Sequence, residues 1–590
     1  MARLNRWGVA FALLTLTGIL IVGCTSSQLV DAPAAPQAPW FADVTDEVGL
    51  DFTHDAGPID GTYFMPQSMG SGAALFDFDN DGRLDIYLVQ NGGPKSGAKN
   101  KLFQQQPDGR FKDVSAGSGL DFAGYGMGVA VADVNNDGLP DVYVSEYAGG
   151  KLLLNQGGGK FQLVPSPPTP LPKDEGKMSG IDSQIWGTAV SFLDYNRDDR
   201  IDLVVTNYVA LDASRPCNNP GTGGRDYCHP VNFKGTATRL YRNRGSDAKG
   251  NWLGFEDRTQ AAGLDHATGP ALGVLCADLN GDGWPDIFVA NDSKANHLWI
   301  NQKNDTFSEE AVPRGVAYNT RGEAQANMGV AYGDIDGNGL SSLFVTHIGF
   351  EYHALWKQGP RGLFQDQAAA AGLTKTTWRG TGFGTVFADF DQDGAPDLAL
   401  VNGRVFRTGP PTKSHWDAYA ERNQLFANAG AGKFRDISES NPALCGKPNV
   451  GRGLAVGTFS ESGARDLLVT TAGGKARLLR NVAPNRGHWL MIRAVQASGV
   501  RGLGAGSPRD AIGAEVRVHA GTRRWQGLVQ PSQSYLCSND PRVHFGLGAV
   551  DRVDAIEVLW PDGSEERFAC PSVDRIIEVQ RGKGEPVQGK

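Results

Sequence analysis

The sequence predicts an all-β chain: a seven-bladed β-propeller followed by a C-terminal small β-sandwich domain. Three observations predict it. An acidic loop recurs at intervals of 55 to 84 residues. Short apolar strands flank the copies, and a fixed supersecondary unit of this length points to a propeller or solenoid. Glycine makes up 78 of 590 residues, about twice the usual ~7%, as many tight turns between short strands require.

The first loop places Asp77, Asp79, Asp81 and Asp85 at positions 1, 3, 5 and 9, with Gly82 at the turn. Hard oxygens on alternate residues around a glycine turn suit Ca2+, which takes six to eight oxygen ligands at roughly 2.3–2.6 Å. The second copy is Asp133, Asn135, Asp137, Asp141, and the third Asp194, Asn196, Asp198, Asp202, with Asp199 in the glycine place. The fourth is Asp278, Asn280, Asp282, Asp286. The fifth, Asp334, Asp336, Asn338, has Ser342 in the last place and is expected to bind more weakly. The sixth is Asp389, Asp391, Asp393, Asp397. A seventh keeps the frame as Thr458, Ser460, Ser462, Gly463 and Asp466, and no calcium is expected there. An EF-hand would need Glu at position 12 and flanking helices. Position 12 instead reads Leu88, Val144, Val205, Val289, Val345 and Leu400, all strand residues.

Each unit continues in the same way. A strand ending near Asn follows, as in Leu152–Asn155 or Leu425–Asn428, then a Gly-rich turn and a Phe-x-Asp strand such as Phe111-Lys-Asp113. Four short strands per repeat make a propeller blade. Phe41-Ala-Asp43 precedes the first loop, and the last repeat lacks its Phe-x-Asp. The N-terminal strand should therefore complete blade seven and lock a ring over residues 40–482.

Residues 1–23 carry Arg3 and Arg6 before an apolar run, the pattern of a signal peptide. The run ends Leu20-Ile-Val-Gly-Cys24, which resembles the bacterial lipobox and implies lipidation of Cys24. Residues 24–39 then read as a flexible tether. The chain is accordingly expected to be an exported, membrane-anchored bacterial lipoprotein, at the outer membrane or cell surface.

Long connections, at 208–240 and 402–423, are expected at one mouth of the propeller. Tyr147, Tyr208, Asp292, His347, Tyr352, Arg404, His415, Trp416 and Tyr419 should ring that mouth and meet a protein or glycan ligand. Cys217 and Cys228 form a candidate disulfide, as exported proteins favour; zinc with His229 is the alternative. From Asn485 longer strands begin, and residues 485–583 read as the sandwich, with Cys537 and Cys570 as a second candidate pair.

The glycines, acidic loops and Leu-Phe-x-Asn segments resemble FG-GAP/VCBS repeats. The stretches Gly487–Leu490, Ile512–Ala514, Ser534–Leu536, Asp540–Gly548 and Trp560–Gly563 resemble the ASPIC/UnbV domain. The pairing of the two is that of the cartilage acidic protein family. The resemblance implies calcium binding and an extracellular setting. No nucleophile elbow, His-Glu-x-x-His or phosphate loop occurs in a fitting context, so a non-catalytic binding role is expected. The alternatives are a calcium-dependent polysaccharide lyase using His347, His415 and Arg404, or an accessory subunit of a biosynthetic complex. The net charge of −9 reflects metal-binding capacity, and the absence of a basic stripe argues against a nucleic-acid partner.

Overall fold

Each acidic loop joins two short apolar strands, and a computed structural model shows what those strands build. The structure describes residues 38–164, 186–219, 221–410, 413–497 and 508–587. The leader, Cys24 and the tether up to residue 37 lie outside them.

Seven four-stranded antiparallel sheets are present, one of them extended by a fifth strand. Their first strands are Ala73–Phe76, Gly126–Ala132, Gly187–Leu193, Ala271–Ala277, Val330–Gly333, Gly382–Ala388 and Gly451–Gly457. These define blades one to seven. They are built of small, β-branched and apolar residues, which suits strands packed on both faces. Each contacts the next in order, and the seventh contacts the first, so the sheets close a ring. Phe41–Asp43 is the outer strand of blade seven, pairing antiparallel with Arg477–Asn481. Closure of this kind leaves only short, protected edges.

A ring of side-chain amides ties neighbouring blades together. Asn155 donates to the Phe78 carbonyl in the preceding blade's loop at 2.8 Å, and Asn243 to Val134 at 2.6 Å. Asn301, Asn428 and Asn481 do the same to Tyr195, Ile335 and Phe390. Blades one and five use glutamine: Gln105 reaches Phe459 and Gln358 reaches Leu279. The seven bonds close the circle, and each satisfies a buried carbonyl that would otherwise be costly.

The C-terminal sandwich holds two sheets. One contains Arg509–Asp510, His488–Gln496 and Val543–Gly548, with Arg575–Gln580 parallel to the central strand. The other runs Arg523–Leu528, Glu515–Ala520, Ala555–Leu559, Glu565–Phe568 and Glu585–Pro586. Leu490, Ile492, Val516, Val518, Phe545 and Ile556 form the core between them.

Between these strands, residues 530–540 leave the sandwich and fill the propeller's central channel. Cys537 and Ser538 pair in parallel with Ala73 and Ala74 of blade one. Val129 of blade two donates to Leu536 O at 3.3 Å. The Gln530 amide donates to Phe192 O and Cys276 O in blades three and four, at 3.1 and 3.2 Å. Ser534 exchanges backbone bonds with Val330 of blade five, and its hydroxyl accepts from Thr385 N of blade six. Asn539 accepts from Val456 N of blade seven at 2.9 Å. One eleven-residue plug thus bonds to the inner strand of every blade.

The plug explains a correction. Cys537 and Cys570 are both free thiols. Cys537 is buried in the channel, where burial pushes its thiol up to about 12. Cys570 stays in the sandwich, 3.5 Å from the Ser572 carbonyl. A bridge between them would pull the plug out of the ring.

Candidate functional site

The acidic loops share one hydrogen-bond frame. The first-position carboxylate turns back on its own loop: Asp77 accepts from Asp81 N at 3.0 Å and Gly82 N at 2.8 Å. Asp133, Asp194, Asp278, Asp334 and Asp389 repeat this. Gly82 sits at φ +87°, the left-handed region where glycine carries no Cβ penalty. In blade three Asp199 takes that place at φ +62°, and its side chain has a use. The Asp199 carboxylate accepts two bonds from Arg581 of the sandwich, at 2.7 and 3.1 Å. Its carbonyl accepts from Arg509 at 2.8 Å. The departure from glycine docks the second domain.

The ninth-position aspartates are buried structural acceptors. Asp85 takes bonds from Phe78 N and Gln105 N, joining the first and third strands of its blade. Asp141, Asp202, Asp286 and Asp397 do likewise. Burial pushes the Asp85 carboxyl up to about 8. It also raises the other four well above the ordinary range.

Four of the six third-position side chains stand apart, while Asn135 and Asn280 accept from Asp137 N and Asp282 N of their own loops. Asp79 Oδ1, Asn196 Oδ1, Asp336 Oδ1 and Asp391 Oδ1 are buried and have no hydrogen-bond partner. Native proteins rarely leave such atoms unpaired. In blades one and six, ligand oxygens of Asp77, Asp79 and Asp85, and of Asp389, Asp391 and Asp397, lie within 4.8 Å of one another. These sets fit a hard divalent cation. In blade five the Lys357 ammonium stands 3.0 Å from Asp336. In blade seven Ser460 and Ser462 bond each other at 2.8 Å. There Arg465 reaches Thr458 and Asp540.

The opposite mouth is roofed. Its roof combines residues 55–70, residues 208–219 and 221–240 of the blade-three insertion, and residues 402–410 and 413–423 of the blade-six insertion. Cys217 and Cys228 are joined as a disulfide, with Cα atoms 5.1 Å apart. Between them Asp226, whose side chain is fully buried, bonds across to blade six. It accepts from Tyr419 Oη at 2.6 Å and from Arg407 N at 2.8 Å. Tyr63, Tyr227, His415, Trp416 and Tyr419 stack around that joint.

The residues expected to ring this mouth therefore divide. Tyr208 and Asp292 face a cavity beneath the roof. Tyr352 is exposed and lies under the Arg379 guanidinium. Tyr147 packs on Phe64, Tyr125 and Trp186. His347 and Tyr419 are buried, a correction to their placement on a ligand surface. His347 bonds Asn327 at 2.8 Å and stacks on His353. His415 and Trp416 are spent on packing, and Arg404 pairs with Glu421 at 3.2 Å. Sequence reasoning missed Asp226, Arg407 and the plug. The Asp enclosed by two cysteines was the available signal for the first.

A closed ring of repeat blades with acidic loops on one face and a β-domain plugging its channel defines a class of propeller. Residues 77–144, 133–205 and 278–345 match the FG-GAP-like repeat. Residues 504–586 match the ASPIC and UnbV domain. The chain carries both modules, and the repeat class implies a binding or interaction role. It is homologous to cartilage acidic protein 1: 24% identical to the mouse protein over 566 residues, covering 92% of this chain and 77% of that one. The human protein is 23% identical over 561 residues, covering 92% and 75%. Among solved structures it is similar to an Agrocybe aegerita lectin recognising non-reducing terminal N-acetylglucosamine, with TM-score 0.36, 15% identity, and 64% and 84% of the two chains covered. It is also similar to the exotype rhamnogalacturonan lyase YesX, with TM-score 0.35, 13% identity, and 70% and 72% covered. Likenesses this distant do not bear on ligand or chemistry.

Proposed function

We propose that this is an exported, lipid-anchored, non-catalytic binding protein whose propeller is stiffened by calcium and presents its roofed mouth to a protein or glycan partner. The observation that carries the calcium reading is the orphaned third-position oxygen, repeated in four loops. The carboxylate trios of blades one and six hold the strongest sites. A cation there would neutralise buried carboxylates and satisfy those oxygens together.

The binding role is supported by how the mouth is used. Burial and the Arg379 charge lower His353 to about 4, and burial takes His347 well below its ordinary value. The imidazoles and arginine that a lyase would need are thereby committed to packing and pairing. The lipid anchor rests on the leader pattern ending at Cys24.

Thermal unfolding with calcium titrated in, alongside metal content per chain, tests the scaffold. A ligand that binds only the folded state stabilises it by about 2.7 kcal/mol at 100 times its Kd. We expect a rise in melting temperature of several degrees and about five ions per chain, as the loop count and calcium's preference for such loops imply. Unchanged melting and no bound calcium would refute the reading.

A further inference from the structure

The roof over the opposite mouth encloses a cavity of about 440 Å3, a size that holds a small organic molecule. It is blind. Tyr535 of the plug donates to the Met69 carbonyl at 3.0 Å and lies edge-on to Phe383, closing the channel below. Met65, Met69, Met328 and Phe406 supply an apolar lining, and the disulfide forms part of the wall. Methionine and aromatic surfaces adapt to varied apolar shapes.

One acid breaks this lining. Asp292 accepts from Tyr208 Oη at 2.6 Å and from Ser293 Oγ at 3.0 Å, which fixes its carboxylate and leaves lone pairs over. Glu351 stands behind the wall residue Ala326, accepting from its N–H at 3.0 Å. Burial foremost, with Asp292 adding to it, raises Glu351 to about 7. Burial likewise raises Asp292, opposed first by its hydrogen bond from Tyr208 and then by the nearby His229. Among the described residues neither acid forms an ion pair with lysine or arginine. Arg215, the other basic residue of the lining, is exposed and has its guanidinium 5.9 Å from the Phe233 ring. A poorly solvated carboxylate with no lysine or arginine paired to it is costly, and a ligand that brings the opposite charge removes that cost.

We infer that this cavity binds a small organic cation, a protonated amine paired with Asp292 whose apolar body lies among the methionines and aromatic rings. This rests on the binding-protein reading and names a ligand class for it.

The test uses the full mature chain and isothermal titration calorimetry with three probes of one shape: 2-phenylethylammonium, 2-phenylethanol and phenylacetate. The ammonium is expected to bind at least tenfold more tightly than the alcohol, with no binding of the carboxylate. Asp292→Asn keeps the shape and the bond to Tyr208, and should cost the ammonium at least tenfold while leaving the alcohol unchanged. Met328→Trp fills the cavity from a different wall and should abolish both. Equal affinities for ammonium and alcohol, indifference to Asp292→Asn, or no heat from any probe overturns the inference. The calcium titration is read separately, so loss of one reading is distinguishable from loss of the other.

Discussion

Blades six and seven carry the same loop frame and meet its charge in opposite ways. In blade six, Asp389, Asp391 and Asp397 converge, and Asp391 Oδ1 is left without a partner. In blade seven those places hold Thr458, Ser460 and Asp466; Ser460 bonds Ser462, and the Thr458 hydroxyl accepts from Arg465. The cation is supplied from within. Arg465, buried, pairs with Asp540 of the plug at 3.2 Å, and Arg542 pairs with the same carboxylate at 2.8 Å. Although burial alone would raise Asp540, the two guanidiniums hold it below the ordinary range. The blade-seven turn thus stands beside an arginine pair, whereas under the calcium proposal the blade-six turn takes a metal. Blade five lies between the two, with Lys357 beside Asp336 and Ser342 in the ninth place.

The sharpest way to break the contrast is Asp540→Asn. It strands two buried arginines, a change worth about 3–5 kcal/mol. Urea unfolding should show the same loss in calcium and in EDTA, because no metal is involved. A loss confined to calcium would mean that blade seven is a metal loop after all. Asp391→Ala comes next and should behave in the reverse way. In calcium at 100 times Kd the loss should approach about 2.7 kcal/mol. In EDTA the variant should match or exceed the parent, since burial and Asp393 hold the Asp391 carboxyl up at about 6. Equal loss in both buffers would remove the distinction between the blades. The smallest effect belongs to Ser342→Asp. Adding the ninth carboxylate should tighten calcium at blade five by roughly tenfold, about 1.4 kcal/mol, as ligand charge governs affinity in such sites. Competition calorimetry at low calcium reads it, and no change would show that Lys357 keeps the loop's charge.

Much of this was legible in the residue order. Short apolar strands, glycine turns and alternate oxygens are local signals, so blade number, loop frame and the closing strand Phe41–Asp43 follow from spacing alone. The mouth was legible only in part. Tyr208 and Asp292 face its cavity, but His347 is buried against Asn327 and His353, and Tyr419 against the blade-three insertion.

By itself the sequence determined what each repeat must be: four strands and one acidic turn, with a third strand ending near an asparagine. Only the tertiary structure decided what fills the ring. The plug, the Asp199–Arg581 pair and the Asp226 joint link residues 466, 382 and 193 positions apart in their longest bonds. Contacts of that range leave no periodic trace. They depend on where closure of the ring places distant backbone, and closure is a property of all seven blades together.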